Sequence, residues 1–188
     1  QLRGMGVALI TPFDEKGEVD HESLRLLADY QVAGGADYIV ALGTTGESPT
    51  IEEAERSAIL QTVREAVAGR CPIIVGAGGN YTERLVNRIQ AMDKTGVDAI
   101  LSVAPYYNKP TQEGIYRHYR TLAESTDTSI ILYNVPGRTG VNIKSETTLR
   151  LATDCPNIIG IKEASGNVDQ VRAIVLEKPD PFIVLSGD

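Results

Sequence analysis

Seven short apolar runs, with helical patterns between them, recur along the 188 residues and leave few folds open. They lie at Gly6 to Thr11, Tyr38 to Leu42, Ile73 to Ala77, Ala99 to Ala104, Ser129 to Asn134, Ile158 to Lys162 and Phe182 to Ser186. Their starts are spaced by about 30 residues, the length of a βαβ unit. Runs this short and rich in β-branched residues read as strands buried on both faces. Helix signals fill the gaps. Asp20 precedes a pattern carrying Leu24, Leu27 and Tyr30 and closed by Gly34 and Gly35, and Thr50 with Glu53 reads as a capping box before a helix closed by Gly69. Thr82 leads into Leu85, Ile89 and Met92, Thr111 into Ile115, Tyr119 and Leu122, and Ser145 into Leu149 and Ala152. A sixth, shorter helix is expected around Val168 to Leu176, before Pro179. Alternation with right-handed crossovers means a parallel sheet, either doubly wound or closed as a (β/α)8 TIM barrel.

The loops favour the barrel. A doubly wound sheet concentrates its chemistry at one switch point, whereas a barrel gathers it at the carboxyl ends of many strands. Polar or Gly-rich clusters follow nearly every run here: TPF, GTTGES, GAGGN, PYYNKP, NVPGRTG, KEASGN and SGD. A complete barrel has eight such units and about 250 residues. The expectation is therefore an α/β chain forming a single domain over residues 1–188, an incomplete barrel of seven strands and about six helices with the eighth unit missing.

Composition excludes several classes. The balance of 18 basic against 25 acidic residues, net −7, offers no electrostatic footprint for nucleic acid or an anionic membrane surface. No apolar run approaches the ~20 residues of a membrane-spanning helix, and the opening QLRGMGVALITPF has too short an apolar stretch for a signal peptide, so the expected location is cytoplasmic. Cys71 and Cys155 stand alone before strand runs, without CxxC spacing, which suggests neither zinc nor a disulfide framework. His21 and His118 lie in helical patterns without a metal-ligand partner at i+4. GAGGN is not followed by Lys and Ser or Thr, which argues against a phosphate-binding loop.

The sharpest chemical signal is a lysine in IIGIKEAS. By simple alternation Ile159 and Ile161 share one face of this strand, and Ile158, Gly160 and Lys162 the other, which sets one ammonium at the end of a buried face. It can snorkel to water as a strand-end lysine, or serve as a Schiff-base nucleophile. An amine with the reference pKa of about 10.4 is handicapped by about 4 to 5 kcal/mol at neutral pH, and desolvation reduces that handicap by penalising the charged form.

Other strand ends carry matching candidates. Tyr133 closes its run in the position that Lys162 holds in the next, where a phenol can move protons for the lysine or simply pack. Arg138 follows in a Pro and Gly turn, and Thr44 and Thr45 sit in a strand-to-helix turn able to bind a carboxylate or merely to cap a helix. Tyr106 and Tyr107 suit either packing or an interface.

GTTGES, PYYNKP, YNVPGRTG, GIKEASG and LSGD, in this order and spacing, resemble the dihydrodipicolinate synthases of the pyruvate-dependent class I aldolase family, over essentially the whole chain. That resemblance implies a (β/α)8 lyase that condenses pyruvate with L-aspartate 4-semialdehyde to 4-hydroxy-tetrahydrodipicolinate, in lysine and diaminopimelate biosynthesis. By the same resemblance Lys162 forms the Schiff base, and Tyr133, Thr44 and Tyr107 form a hydroxyl relay, Tyr107 being offered across a tight dimer interface. Thr45 and Gly187 hold the pyruvate carboxylate, and Arg138 holds that of the second substrate. No metal and no separate cofactor is implied, and the assembly implied is a homotetramer of tight dimers. N-acetylneuraminate and 2-keto-3-deoxy sugar-acid lyases share the lysine and the tyrosine, but tend to lack the arginine, whose planar fork suits a short carboxylate acceptor. A non-catalytic fragment is the alternative of another class. Some relatives bind lysine as an inhibitor through positions matching Ser48, Asn80 and Tyr106. Where regulated relatives carry imidazoles and an acid, this chain has Glu53, Arg56 and Arg84, which implies weak feedback.

Overall fold

The computed structural model describes residues 2–187; Gln1 and Asp188, the last residue of the SGD motif, lie outside them. Contacts gather the chain into two compact units, Gln1–Gly76 with Met92–Ile100, and Ala77–Ala91 with Leu101–Asp188. All seven expected strands are present among the described residues.

The first unit contains β1 (Gly6–Ala8), α1 (His21–Ala33), β2 (Tyr38–Ala41), a one-turn 3-10 helix (Ser48–Thr50), α2 (Glu53–Val67), β3 (Ile73–Gly76) and the start of β4 (Ala99–Val103). β2 pairs in parallel with β1 and with β3, in the registers Val7↔Ile39 and Val40↔Ile74. Residues Tyr38–Ala41 and Ile73–Gly76 are buried throughout, as continuous apolar runs in a parallel sheet should be. Leu24 and Ala28 on α1, and Ile59, Val63 and Val67 on α2, complete the core around Ile39 and Val75.

Asp20 caps α1 by accepting from the backbone N–H groups of Glu22 and Ser23. Tyr30 departs from the expected stripe: it is 72% exposed, while Ala28 fills the core position one turn after Leu24. The capping box also falls elsewhere than at Thr50 and Glu53. Thr50 belongs to the 3-10 turn and donates its hydroxyl proton to the Glu47 carbonyl; Glu52 is the cap, its N–H donating to Glu55 Oε2 at 2.8 Å. Ile51, buried in extended conformation between them, separates the turn from the helix.

The second unit contains α3 (Thr82–Ala91), the rest of β4, α4 (Gln112–Glu124), β5 (Ile130–Asn134), the one-turn α5 (Pro136–Thr139), α6 (Ser145–Asp154), β6 (Ile158–Glu163), α7 (Val168–Glu177) and β7 (Ile183–Ser186). β6 pairs in parallel with β5 and with β7. Leu85 and Ile89, then Ile115, Tyr119 and Leu122, are buried as their 3–4 residue spacing dictates. On α6 the buried residues are Thr147, Thr148 and Leu151, whereas Leu149 and Ala152 are half-buried. The helix beyond the expected six is α5, formed where Pro136 at its first turn and Gly140 at φ 71° start and stop a single turn.

β6 is not a plain alternating strand. Ile130 pairs with Ile158 but Ile131 pairs with Gly160, so β6 carries one extra residue at Ile159, a β-bulge. The simple alternation that put Ile158 on the face of Lys162 therefore fails across the bulge. It holds from Gly160 onward, where Ile161 and Glu163 are buried on the side opposite Lys162.

Candidate active site

Five of the expected residues belong to the carboxyl ends of strands in the second unit or to the loops just after them. Tyr133 and Lys162 are register partners on β5 and β6. Neighbouring residues in a parallel pair project from the same face, and the Lys162 Nζ stands over the Tyr133 ring, 4.6 Å from its centre. Tyr133 is 7% exposed and Lys162 half-buried, so the amine meets the phenol at the rim of an apolar strand pair. Gly187 stands against the lysine stem, its N–H donating to the Glu163 carbonyl at 2.9 Å. A Cβ at Gly187 would lie 3.1 Å from Lys162 Cε and 2.5 Å from Ala164 Cβ, so a side chain here would crowd the lysine.

Arg138 projects from α5, exposed, its N–H held by the Val135 carbonyl at 2.9 Å. The turn around it is rigid because Thr139, 5% exposed, donates its hydroxyl proton within the turn and accepts from the Val141 N–H at 3.2 Å. The loop after β4 leans on this turn, the Tyr107 N–H reaching the Thr139 carbonyl at 3.4 Å. Tyr107 adopts φ 72° and is 86% exposed, which removes it from packing within the chain; Tyr106 is 36% exposed. A non-Gly residue at positive φ costs of the order of 1–3 kcal/mol and persists only where its surroundings over-determine it.

Thr44 and Thr45 belong to the first unit, in the turn between β2 and the 3-10 helix, where both are exposed. Leu42 enters that turn at φ 55°, and Gly76 permits it: a Cβ there would lie 2.1 Å from the Leu42 carbonyl oxygen. Thr11, buried, donates its hydroxyl proton to the Gly46 carbonyl at 2.7 Å and fixes the loop.

His118 is 4% exposed and pairs Nδ1 with Thr82 Oγ1 at 2.8 Å, while His21 pairs with Thr62. Burial takes the His118 imidazole down to about 4, which keeps it neutral. Burial is also the main influence raising both thiols, Cys71 and Cys155, which disfavours thiolate chemistry at either. No group of three or more His, Cys, Asp or Glu suited to a metal ion occurs among the described residues.

The chain matches the model of the dihydrodipicolinate synthetase family over residues 1–188. The chain belongs to the dihydrodipicolinate synthetase family. A family relative from Parabacteroides distasonis, named 4-hydroxy-tetrahydrodipicolinate synthase, is 56% identical over 187 residues, covering 100% of this chain and 63% of the relative. The solved dihydrodipicolinate synthase of Aquifex aeolicus superposes with a TM-score of 0.95 at 45% identity, over 100% of this chain and 64% of that one. The chloride-inhibited synthase of Acinetobacter baumannii, solved in complex with pyruvate, gives a TM-score of 0.96 at 42% identity and the same coverage. The chain thus spans a little under two thirds of the length of these family members. The fold class is α/β, an incomplete (β/α)8 barrel of parallel strands and alternating helices.

Directly behind the tyrosine and the lysine stand two side chains that are not among the expected site residues. Asn134 and Glu163 are 0% and 3% exposed and hydrogen-bond to each other. The signal was present in IILYN and IIGIKE: a polar residue follows each candidate at a position whose parity is buried.

Proposed function

We propose that the protein is a Schiff-base lyase that condenses pyruvate with L-aspartate 4-semialdehyde to 4-hydroxy-tetrahydrodipicolinate. The observation that carries this reading is the register pairing of Tyr133 with Lys162, amine over phenol at 4.6 Å, in a chain of this family. The Lys162 amine attacks the keto carbon, and loss of water from the carbinolamine leaves an imine. Loss of a methyl proton makes the enamine, whose carbon attacks the aldehyde; the acceptor's own amine then displaces Lys162 and closes the ring.

Tyr133, beside the amine, passes protons at these steps, with Thr44 and Tyr107 completing the relay. The exposure of Tyr107 supports its service to a neighbouring subunit in a homotetramer of tight dimers. Thr45 and Gly187 hold the pyruvate carboxylate, and Arg138, on its rigid turn, holds the acceptor carboxylate through its planar fork. No cofactor beyond the covalent imine enters the scheme. The chain forms one barrel domain and acts in the cytoplasm; no helix among the described residues is long and apolar enough to cross a membrane.

Pyruvate with borohydride tests the core of the reading in the natural full-length protein. Peptide mapping should find a stable adduct on Lys162. Labelling at Lys109 or Lys144 with Lys162 untouched overturns it.

A further inference from the structure

Behind the Tyr133–Lys162 pair, the opposite face of β5 and β6 carries a closed polar network. Asn134 and Glu163 are also register partners. Glu163 Oε1 accepts from Asn134 Nδ2 at 3.0 Å and from the Ser165 N–H at 2.9 Å. Its Oε2 accepts from Asn134 Nδ2 at 3.1 Å and from Gln170 Nε2, on α7, at 2.8 Å. Asn134 Oδ1 accepts from the Ile143 N–H at 2.9 Å, and Asn134 Nδ2 also donates to Asn142 Oδ1 at 2.8 Å.

Every donor to Glu163 in this network is a neutral amide. A buried carboxylate held in this way stabilises a fold less than an apolar residue of similar volume would. What it adds is geometry, because its acceptors are satisfied in only one alignment of the strands.

That alignment decides the site. Continued without a bulge from Ile130↔Ile158, the pairing would set Lys162 beside Asn134 instead of Tyr133. A one-residue slip turns every side chain to the other face. In the slipped register Glu163 would lose Asn134 as its neighbour, and Lys162 would lose Tyr133.

We propose that Glu163, with Asn134 and Gln170, is a positioning residue for the reaction of Lys162: the network locks the bulged register of β6 and so holds the amine over the phenol. Glu163 touches no reacting atom; it acts through the strand it ends. The inference rests on the Schiff-base reading of Lys162.

The test uses Glu163→Gln and Gln170→Met in the natural full-length protein, with rapid quenching of pyruvate-loaded enzyme by borohydride. The amide of Glu163→Gln sets a donor against the amide of Asn134 or Gln170, while Gln170→Met removes one donor and keeps the volume. The fraction of chains finally reduced at Lys162 should equal that of the parent. The rate of reaching it, and kcat, should fall, by up to about 100-fold for Glu163→Gln, the scale of a misplacement near 1 Å, with KM for pyruvate little changed. Unaltered rates overturn the proposal. So does a final labelled fraction that falls in step with kcat, which is simple loss of folded sites. If Glu163→Gln fails to fold, Gln170→Met decides between these outcomes. A parent protein that never labels at Lys162 overturns the Schiff-base reading itself, and this proposal with it.

Discussion

Tyr133 and Lys162, 29 residues apart in sequence, stand side by side because β6 carries one more residue than β5 between Ile130↔Ile158 and Tyr133↔Lys162. The bulge does more than bend the strand. It selects which β5 side chain the lysine meets, and the phenol ring it meets lies 4.6 Å from Nζ.

Proton transfer and acceptor binding should separate on mutation. Tyr133→Phe removes a hydroxyl and little volume, so its effect should fall mainly on kcat, by about 100-fold or more for a general acid and base. Arg138→Ala should raise KM for the semialdehyde far more than for pyruvate. Steady-state kinetics with each substrate varied in turn checks both, and equal damage to both KM values would favour a sugar-acid aldolase.

Gly160 should tolerate no side chain. A Cβ there would lie 2.4 Å from Ile183 Cγ1 and 2.7 Å from the Ile183 carbonyl oxygen on the paired strand β7, and backbone cannot yield as a side-chain tip can. Gly160→Ala should destabilise by about 1–3 kcal/mol, the range for overpacked cores. A thermal melt lying on that of the parent would show that the strands part freely at this point.

His118 should make stability depend on pH. Its folded value of about 4 lies below the ordinary 6.5, so the unfolded chain binds the extra proton between those limits. The contribution is complete above pH 6.5 and is lost as pH falls toward 4, and at the full shift it is on the order of 3 kcal/mol. Urea titrations of parent and His118→Gln at several pH values should show the parent losing stability faster over this window; parallel curves would mean that the imidazole protonates without opening its packing.

L-Lysine should inhibit weakly or not at all. Ser48, whose hydroxyl would meet the effector, already accepts from Arg56 Nη1 at 3.0 Å. Arg84, at the position where the resemblance sets the acid of regulated relatives, is exposed, and Glu83 faces solvent with its carboxylate accepting from the Tyr81 hydroxyl. Rates measured against millimolar lysine check this, and strong inhibition below that range would contradict it.

The sequence by itself determined the order of strands and helices, because a buried strand and an amphipathic helix each write their period into neighbouring residues. It likewise marked Lys162 and Tyr133 as the last residues of apolar runs, and Asp20 and Thr111 as caps, since these are local facts. Where two local signals competed, the more legible one was wrong: Thr50 and Glu53 offer the motif of a capping box, but Ile51 is buried and the cap is Glu52, with the helix beginning at Glu53.

What only the tertiary structure decided was register. Nothing within IIGIKE says that Ile159 is skipped in pairing, since a bulge is defined against another strand and is invisible in either alone. The same holds for Asn134 and Glu163, which only strand pairing brings together, buried, with Gln170 beside them. Side-chain period is a property of one segment. Which residue stands beside which is set by the summed contacts of segments distant along the chain, and that choice brings the lysine to the tyrosine.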